Sequence, residues 1–327
     1  MQFQAFRVEK NDSGVEHQII ERSTDDLPTG DLLIQVAFSS VNYKDAMSAK
    51  GMPGVTRNYP HTPGIDASGT VVESSHADFK EGDEVIVTGF DLGMNTDGGF
   101  AEYIRVPAGW AVPLPAGLNL RDAMTLGTAG LTAGLCIEKL LQMNAAPTDG
   151  PVVVTGASGG VGSVAVALLA HLGFDIVASS GKSEKREYLE TLGAKTLIER
   201  SDLEGENKRP LLTEDFAHGV DTVGGDILSN LIKRLRYGGS VSICGLVASP
   251  AFATTVLPFI LRGVNVLGID SVELPLVHKA RIWNHFATDW QLANLDVMAV
   301  EVGLGDVSST VDQILAGQVT GRTLVAL

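Results

Sequence analysis

Three stretches of the chain hold residues whose types and spacing suit chemistry. The first is "VTGASGGVGS", residues 154–163, with glycines at 156, 159 and 162. An apolar strand pattern precedes it, an apolar helix pattern follows, and another strand ends about twenty residues on, as in dinucleotide-binding units. There Gly156 permits a tight turn, and Gly159 and Gly160 let the backbone approach a pyrophosphate. Gly162 lets the helix pack against the strand, and the first amides of that helix, from Val161, face the anion. Ser158 sits among these glycines, where a phosphate turn explains it better than a nucleophile. The G-x-x-G-x-x-G spacing differs from the strict G-x-G-x-x-G fingerprint, so a plain strand-to-helix turn is the alternative.

The second stretch, "ASSGKSEKREYL" at 178–189, closes the next strand. An NAD site places Asp or Glu there to accept bonds from the ribose 2′-hydroxyl. Here Ser179 and Ser180 occupy the zone, followed by Lys182, Lys185 and Arg186. Hydroxyls and cations suit a 2′-phosphate, so NADPH is the expected cofactor, held by Ser180, Lys182 and Arg186. A solvated helix start is the plainer reading of the same residues, and Glu184 has a capping rationale in that first turn.

The third stretch is "VNYKD", residues 41–45. If it is extended, Asn42 and Lys44 share a side; if a helix begins here, Asn42 and Asp45 share a face. Asn42 also suits a helix cap, and Tyr43 is either a hydroxyl donor or a packed aromatic. No other constellation competes. The seven histidines and two cysteines show no zinc-ligand spacing, and no H-E-x-x-H or G-x-S-x-G motif occurs. Cys136 and Cys244 lie in apolar contexts and read as buried free thiols. Hydride transfer is the chemistry left, with no metal.

The elements that must position these residues change character along the chain. Residues 1–120 alternate short apolar stretches with Gly, Pro and Asp turns, which predicts an antiparallel barrel or sandwich. From 121 to 143 one helical periodicity runs through "RDAMTLGTAGLTAGLCIEKLLQM". Strand and helix signals then alternate through "PVVVTG", "DIVASS", "KTLIE", "GVDTVGG", "SVSICG" and "VNVLGID", with "DILSNLIKRLRYGG" read as one helix. Repeated βαβ units predict a doubly wound parallel α/β sheet. The last 30 or so residues are mixed and return to the first domain.

The chain has 327 residues, 44% of them hydrophobic, and a formal net charge of −15. That balance argues against a nucleic-acid partner. No apolar run reaches the roughly 18 residues needed to cross a bilayer, and no signal-peptide layout opens the chain. A cytoplasmic protein with no membrane partner is expected.

"SSVNYKDAMSAKG", "PHTPGIDASGTV", "GTAGLTA", "VVVTGASGGVGSVA", "GVDTVGG" and the terminal "GRTLVAL" together resemble the medium-chain dehydrogenase/reductase superfamily. The branch is the zinc-free, quinone oxidoreductase-like one. Zinc-dependent members carry G-H-E where this chain has Gly64-Ile65-Asp66. "NYKDAM", "GIDASG", "ILRGVNVLGIDSV" and "GRTLV" are most similar to the acrylyl-CoA reductase subgroup. The resemblance implies a GroES-like catalytic domain over 1–122 completed by 295–327, a Rossmann domain over 123–294, and a homodimer joined near "VNVLGID". It implies NADPH-dependent reduction of acryloyl-CoA or a similar short 2-enoyl-CoA, the alternative being a quinone or enone reductase without a CoA requirement. The family's N-x-x-D pattern pairs Asn42 with Asp45, and Tyr43 becomes a donor to the enolate. Thr128 resembles a residue near the nicotinamide, and Arg322 an arginine facing cofactor or substrate phosphate. Cys244-Gly245-Leu246 and Ile269 to Ser271 fall at strand ends bordering the nicotinamide. Arg57 and Tyr59 are candidates for the substrate, Arg57 toward CoA phosphates. Related enoyl reductases use a tyrosine after this helix as proton donor, and Tyr59 lies too near "PHTPG" for that pattern, so the proton donor stays unassigned.

Overall fold

Alternating burial along the early strands and unbroken burial along the later ones set up two different sheets. The computed structural model describes residues 1–12, 14–293 and 295–327, with Ser183 given by its backbone alone. It divides into two compact units: residues 1–131, 271–291 and 295–327 form the first, and 132–270 with 292 and 293 the second.

In the first unit, β1 (Gln2–Asn11) and β2 (Gly14–Ser23) form a hairpin, followed by β3 (Leu32–Ser40) and the short helix α1 (Tyr43–Ala49). Next come β4 (Asp66–Ser74), β5 (Glu84–Thr88), β6 (Tyr103–Val106), β7 (Ala111–Pro113) and the long α2 (Leu120–Gln142), which runs on into the second unit. In the second unit, β8 (Val152–Thr155), α3 (Gly160–His171), β9 (Ile176–Ser180), α4 (Arg186–Thr191) and β10 (Thr196–Glu199) lead to β11 (Phe216–Asp221). Then follow α5 (Gly225–Arg234), β12 (Leu235–Ile243), α6 (Leu257–Arg262) and β13 (Asn265–Gly268). The first unit is completed by α7 (Leu276–Ala287), α8 (Leu295–Met298), β14 (Ala299–Gly303), α9 (Val307–Leu315) and β15 (Arg322–Ala326).

The first unit's sheet runs β14-β15-β3-β4-β5-β7, with β6 also paired to β3. All its pairings are antiparallel except β14 with β15. Leu32, Ile34, Val36, Val71, Val85 and Ile104 fill its main core. The second sheet is wholly parallel, in the order β10-β9-β8-β11-β12-β13, the doubly wound pattern. Val152, Val153 and Val154 are fully buried because helices cover both faces. The edge strand β13 lies in the segment read as a dimer edge. Among the described residues, no helix is long and apolar enough to cross a membrane.

Three local readings differ from the structure. The helix expected through Gly239 ends at Arg234, and Leu235 already opens β12. The strand expected at 219–225 begins earlier, at Phe216, and its polar His218 interrupts the apolar signal. Residues 123–131 and 271–291, expected with the Rossmann domain, pack with the first unit. For the second of these segments the cause is α7, which lies on β7 and buries Ile282, Trp283 and Phe286.

Candidate active site

Asp66, the first residue of β4, is fully buried and gathers hydrogen-bond donors from two separate parts of the chain, with an arginine from a third nearby. Its Oδ2 accepts from Ser40 Oγ at 2.6 Å, Asn42 Nδ2 at 2.8 Å and the Thr128 backbone N–H at 2.9 Å. Its Oδ1 accepts from the Thr128 hydroxyl at 2.5 Å. Arg322, only 3% exposed, lies 3.8 Å from the carboxylate. It donates to Ser40 Oγ at 2.8 Å, Asn42 Oδ1 at 3.2 Å and the Thr125 carbonyl at 3.1 Å.

Thr128 reaches Asp66 because α2 is broken at Gly127, whose φ of 51° and ψ of −154° leave the helix. A Cβ at Gly127 would stand 2.6 Å from both Asp66 Oδ2 and Ser40 Oγ. Only glycine fits there, and the break frees the next N–H to point at the carboxylate. The single helical periodicity in the sequence conceals this interruption.

Asp45 lies in the first turn of α1. Its Oδ2 accepts from the Asn42 backbone N–H at 2.8 Å and Asn42 Nδ2 at 3.2 Å. Its Oδ1 accepts from the Gly64 and Ile65 amides at 3.1 and 2.8 Å. Asn42 therefore braces one carboxylate against the other, and the helical pairing of Asn42 with Asp45 is the one adopted. Burial, reinforced by the Asp66 charge, raises the Asp45 carboxyl from 3.8 to about 7, against the pull of its donors. The fold thus binds this proton more tightly than the unfolded chain does, so stability falls as pH rises from about 4 to 7. Urea unfolding at pH 5 and pH 8 is expected to show wild type losing stability between the two. Asp45→Asn, less stable at both, is expected to show a smaller loss; an equal loss would place the pH dependence elsewhere.

In the second unit, Gly156 takes φ +60° at the end of β8, and a Cβ on Gly162 would meet the Gly156 carbonyl at 2.2 Å. The helix start at Gly159 has no side-chain cap, so the amides of the first turn of α3 are open to an anion. Ser158 and Ser180, both buried, stand 3.1 Å apart, and Ser180 Oγ accepts from the Lys182 amide at 3.1 Å. Burial, and then the neighbouring Lys185, hold the Lys182 ammonium below its usual range, a condition that an added anion would relieve. Arg186 is exposed and pairs with Glu190 at 3.4 Å. These residues fit a pyrophosphate at the turn and a phosphate beside Ser180.

The other expected residues are placed as follows. Tyr43 is 40% exposed. Tyr59 donates its hydroxyl to the Ser48 carbonyl at 2.7 Å, which commits it to holding α1. Arg57 is exposed, and its backbone N–H donates to Asn95. Cys244 lies 3.5 Å from the Asp221 carbonyl, and contact with Cys136, with burial, pushes its thiol up. Leu246, just beyond Gly245, is exposed, and the Ile269 amide donates to Ile243. Ser271 opens the segment that returns to the first unit. Arg322, expected to face a phosphate, belongs to the Asp66 network. Sequence reading did not single out Ser40 or Asp66; an acid inside the apolar run "GIDASGTVV" was the available signal. Among the described residues, no group of three or more His, Cys, Asp and Glu side chains converges as a metal site.

Residues 28–116 match the alcohol dehydrogenase GroES-like domain family, and residues 160–286 the zinc-binding dehydrogenase family. The chain is 43% identical to the acrylyl-CoA reductase AcuI of Ruegeria pomeroyi over 99% of this chain and 98% of that one. It is 44% identical to YhfP of Bacillus subtilis, which carries a quinone oxidoreductase name, over 99% of both chains. A crystal structure of yhfP with NAD bound superposes with a TM-score of 0.97, at 43% identity and full coverage of both chains. The yhdH oxidoreductase of Salmonella enterica in complex with NADP gives 0.96, at 42% identity and full coverage of both. On this similarity the chain belongs to the medium-chain dehydrogenase/reductase superfamily, in the acrylyl-CoA reductase subgroup of its quinone oxidoreductase-like branch.

Proposed function

We propose that this protein is an NADPH-dependent reductase of the C=C bond in acryloyl-CoA or a similarly short 2-enoyl-CoA. The observation that carries the reading is the buried Asp66 network, closed except at the partly exposed Asn42 and Thr128, in a chain of this subgroup. Bound NADPH supplies a hydride from its nicotinamide. Hydride at Cβ would place charge on the thioester oxygen, and a proton drawn from water would complete Cα to give the saturated acyl-CoA.

The chain's own residues orient this chemistry. Thr128 spends its hydroxyl proton on Asp66, so toward the cofactor its oxygen can act only as an acceptor, in which role it orients an amide or hydroxyl. Both Asn42 side-chain protons go to the network, which makes Asn42 a brace. The exposed Tyr43 beside it is the donor to the thioester oxygen. Ser180, Lys182 and Arg186 hold the 2′-phosphate, and the turn from Gly156 to Gly162 holds the pyrophosphate. Arg57 serves the CoA phosphates.

A homodimer belongs to the same reading, supported by the open β13 edge and by exposed Val256, Ile260 and Leu261 on and beside α6. The free thiols of Cys136 and Cys244 support a reducing, cytoplasmic setting.

The test is NADPH oxidation with acryloyl-CoA, crotonyl-CoA and 1,4-benzoquinone in parallel, repeated with NADH. The expected result is a strong preference for acryloyl-CoA with NADPH. Turnover of the quinone alone would move the function to quinone reduction, the reading that the name of YhfP favours.

A further inference from the structure

Lys279, in the second turn of α7, is 1% exposed, which is rare for a lysine. Its ammonium donates to the Thr88 carbonyl at 2.7 Å and the Val272 carbonyl at 2.9 Å. It also lies 3.6 Å from the centroid of the Phe90 ring, close enough for a strong cation–π contact. The groups it touches come from two segments far apart in sequence, which the Phe90 amide also joins by donating to the Val272 carbonyl. Thr88 ends β5 and is the strand partner of Asp66. Val272 follows Ser271, where the chain returns to the first unit.

The local backbone is built around this contact. Gly89 donates its amide to the Ile65 carbonyl, and Phe90 donates its own to Val272. Phe90 takes a positive φ of 51°, rare for a side-chain-bearing residue, and its ring stacks on Trp110 at 5.8 Å. Packing alone does not call for a lysine. Burying an ammonium is costly, and an unbranched apolar side chain of similar length would fill the slot at lower cost. What such a side chain cannot do is hold two carbonyls from two segments at a fixed separation.

We propose that Lys279 is a positioning residue for the reaction: its ammonium sets the returning segment, from Ser271, in register with the strand end opposite Asp66. The assignment rests on the Asp66 network being the active site. It adds a control point outside that network, acting through Thr88 and the Gly89–Ile65 hydrogen bond.

Lys279→Met keeps the length and loses the donors; Lys279→Gln keeps two N–H donors without the charge. The expected result for Lys279→Met is a fall in kcat of about tenfold or more, as misplacement of a reacting group produces. NADPH affinity is expected to be unchanged, and Lys279→Gln to recover much of kcat. Hydrogen exchange at the Gly89 and Phe90 amides is expected to quicken in Lys279→Met. Wild-type kcat in a folded Lys279→Met would overturn the proposal. If that variant does not fold, Lys279→Gln decides: its shorter side chain cannot hold both carbonyls at the wild-type separation, so fully unchanged kcat with unchanged exchange at Gly89 there overturns the proposal equally. If wild type turns over none of the substrates, the functional reading falls, while the exchange measurement still reports whether Lys279 fixes the Asp66 edge. Unchanged exchange at Gly89 would sink the positioning role by itself.

Discussion

Replacing Asp66 with asparagine is expected to lower kcat by on the order of a hundredfold, the scale of losing alignment around a reacting centre. It is also expected to destabilise the first unit by about 3–5 kcal/mol, the cost of breaking a buried ion pair from one side. The geometry explains why so conservative a change costs so much. Asp66 receives four hydrogen bonds and gives none. An amide in its place turns one oxygen into a donor, which must then face Thr128 Oγ1 or the cluster of Ser40, Asn42 and the Thr128 N–H. Arg322, buried at 3% exposure, loses the carboxylate 3.8 Å away. Thr128 would no longer be tied down through its hydroxyl and amide, and this is the link from packing to turnover.

A purely structural role predicts a lower melting temperature with kcat per folded molecule intact, so activity must be normalised to the folded fraction. The pH profile separates the two cases again. The Asp66 charge is one of the causes that raise the Asp45 carboxyl to about 7. Removing it is expected to move any kcat/KM limb near neutrality toward lower pH. A limb that stays in place would show that the two carboxylates are not coupled in catalysis.

The parts of the fold that were legible in the sequence are those whose physics is local. Val152 to Thr155 form a short strand buried on both faces, and such a strand must be continuously apolar. The turn at 156–162 declares itself because a close strand-to-helix crossing admits only glycine. The helical pairing of Asn42 with Asp45 was one of two geometries the spacing allowed. The Asp66 network was not legible, because its members at 40, 42, 66, 128 and 322 are brought together only by sheet pairing and by the break in α2. Lys279 was hidden for a related reason. A lysine on an amphipathic helix reads as solvent-facing until the carbonyls that surround it are placed. The end of α5 was missed because Leu235 continues the helical period while β12 has already begun.

The cofactor prediction has the other large effect. Ser180→Asp is expected to weaken NADPH by on the order of a thousandfold, since a carboxylate about 4 Å from a phosphate costs roughly 4 kcal/mol at an effective dielectric near 20. The same carboxylate can accept from a ribose 2′-hydroxyl, so NADH is expected to improve. Ser180 is the position for this test because it ends β9, is 8% exposed, and already directs its oxygen to the Lys182 amide. Arg186→Ala should do less. Its guanidinium is exposed and shared with Glu190, so the loss to NADPH is expected to be about 1 kcal/mol, with NADH unaffected. The relatives do not decide the matter, because one is crystallised with NAD and another with NADP. The ratio of kcat/KM for the two cofactors, measured in wild type and both variants, does. A ratio that inverts in Ser180→Asp and shifts modestly in Arg186→Ala places the 2′-phosphate between Ser180 and the basic turn. A ratio unmoved by the introduced carboxylate would remove β9 from cofactor selection and leave the glycine turn as a pyrophosphate site alone.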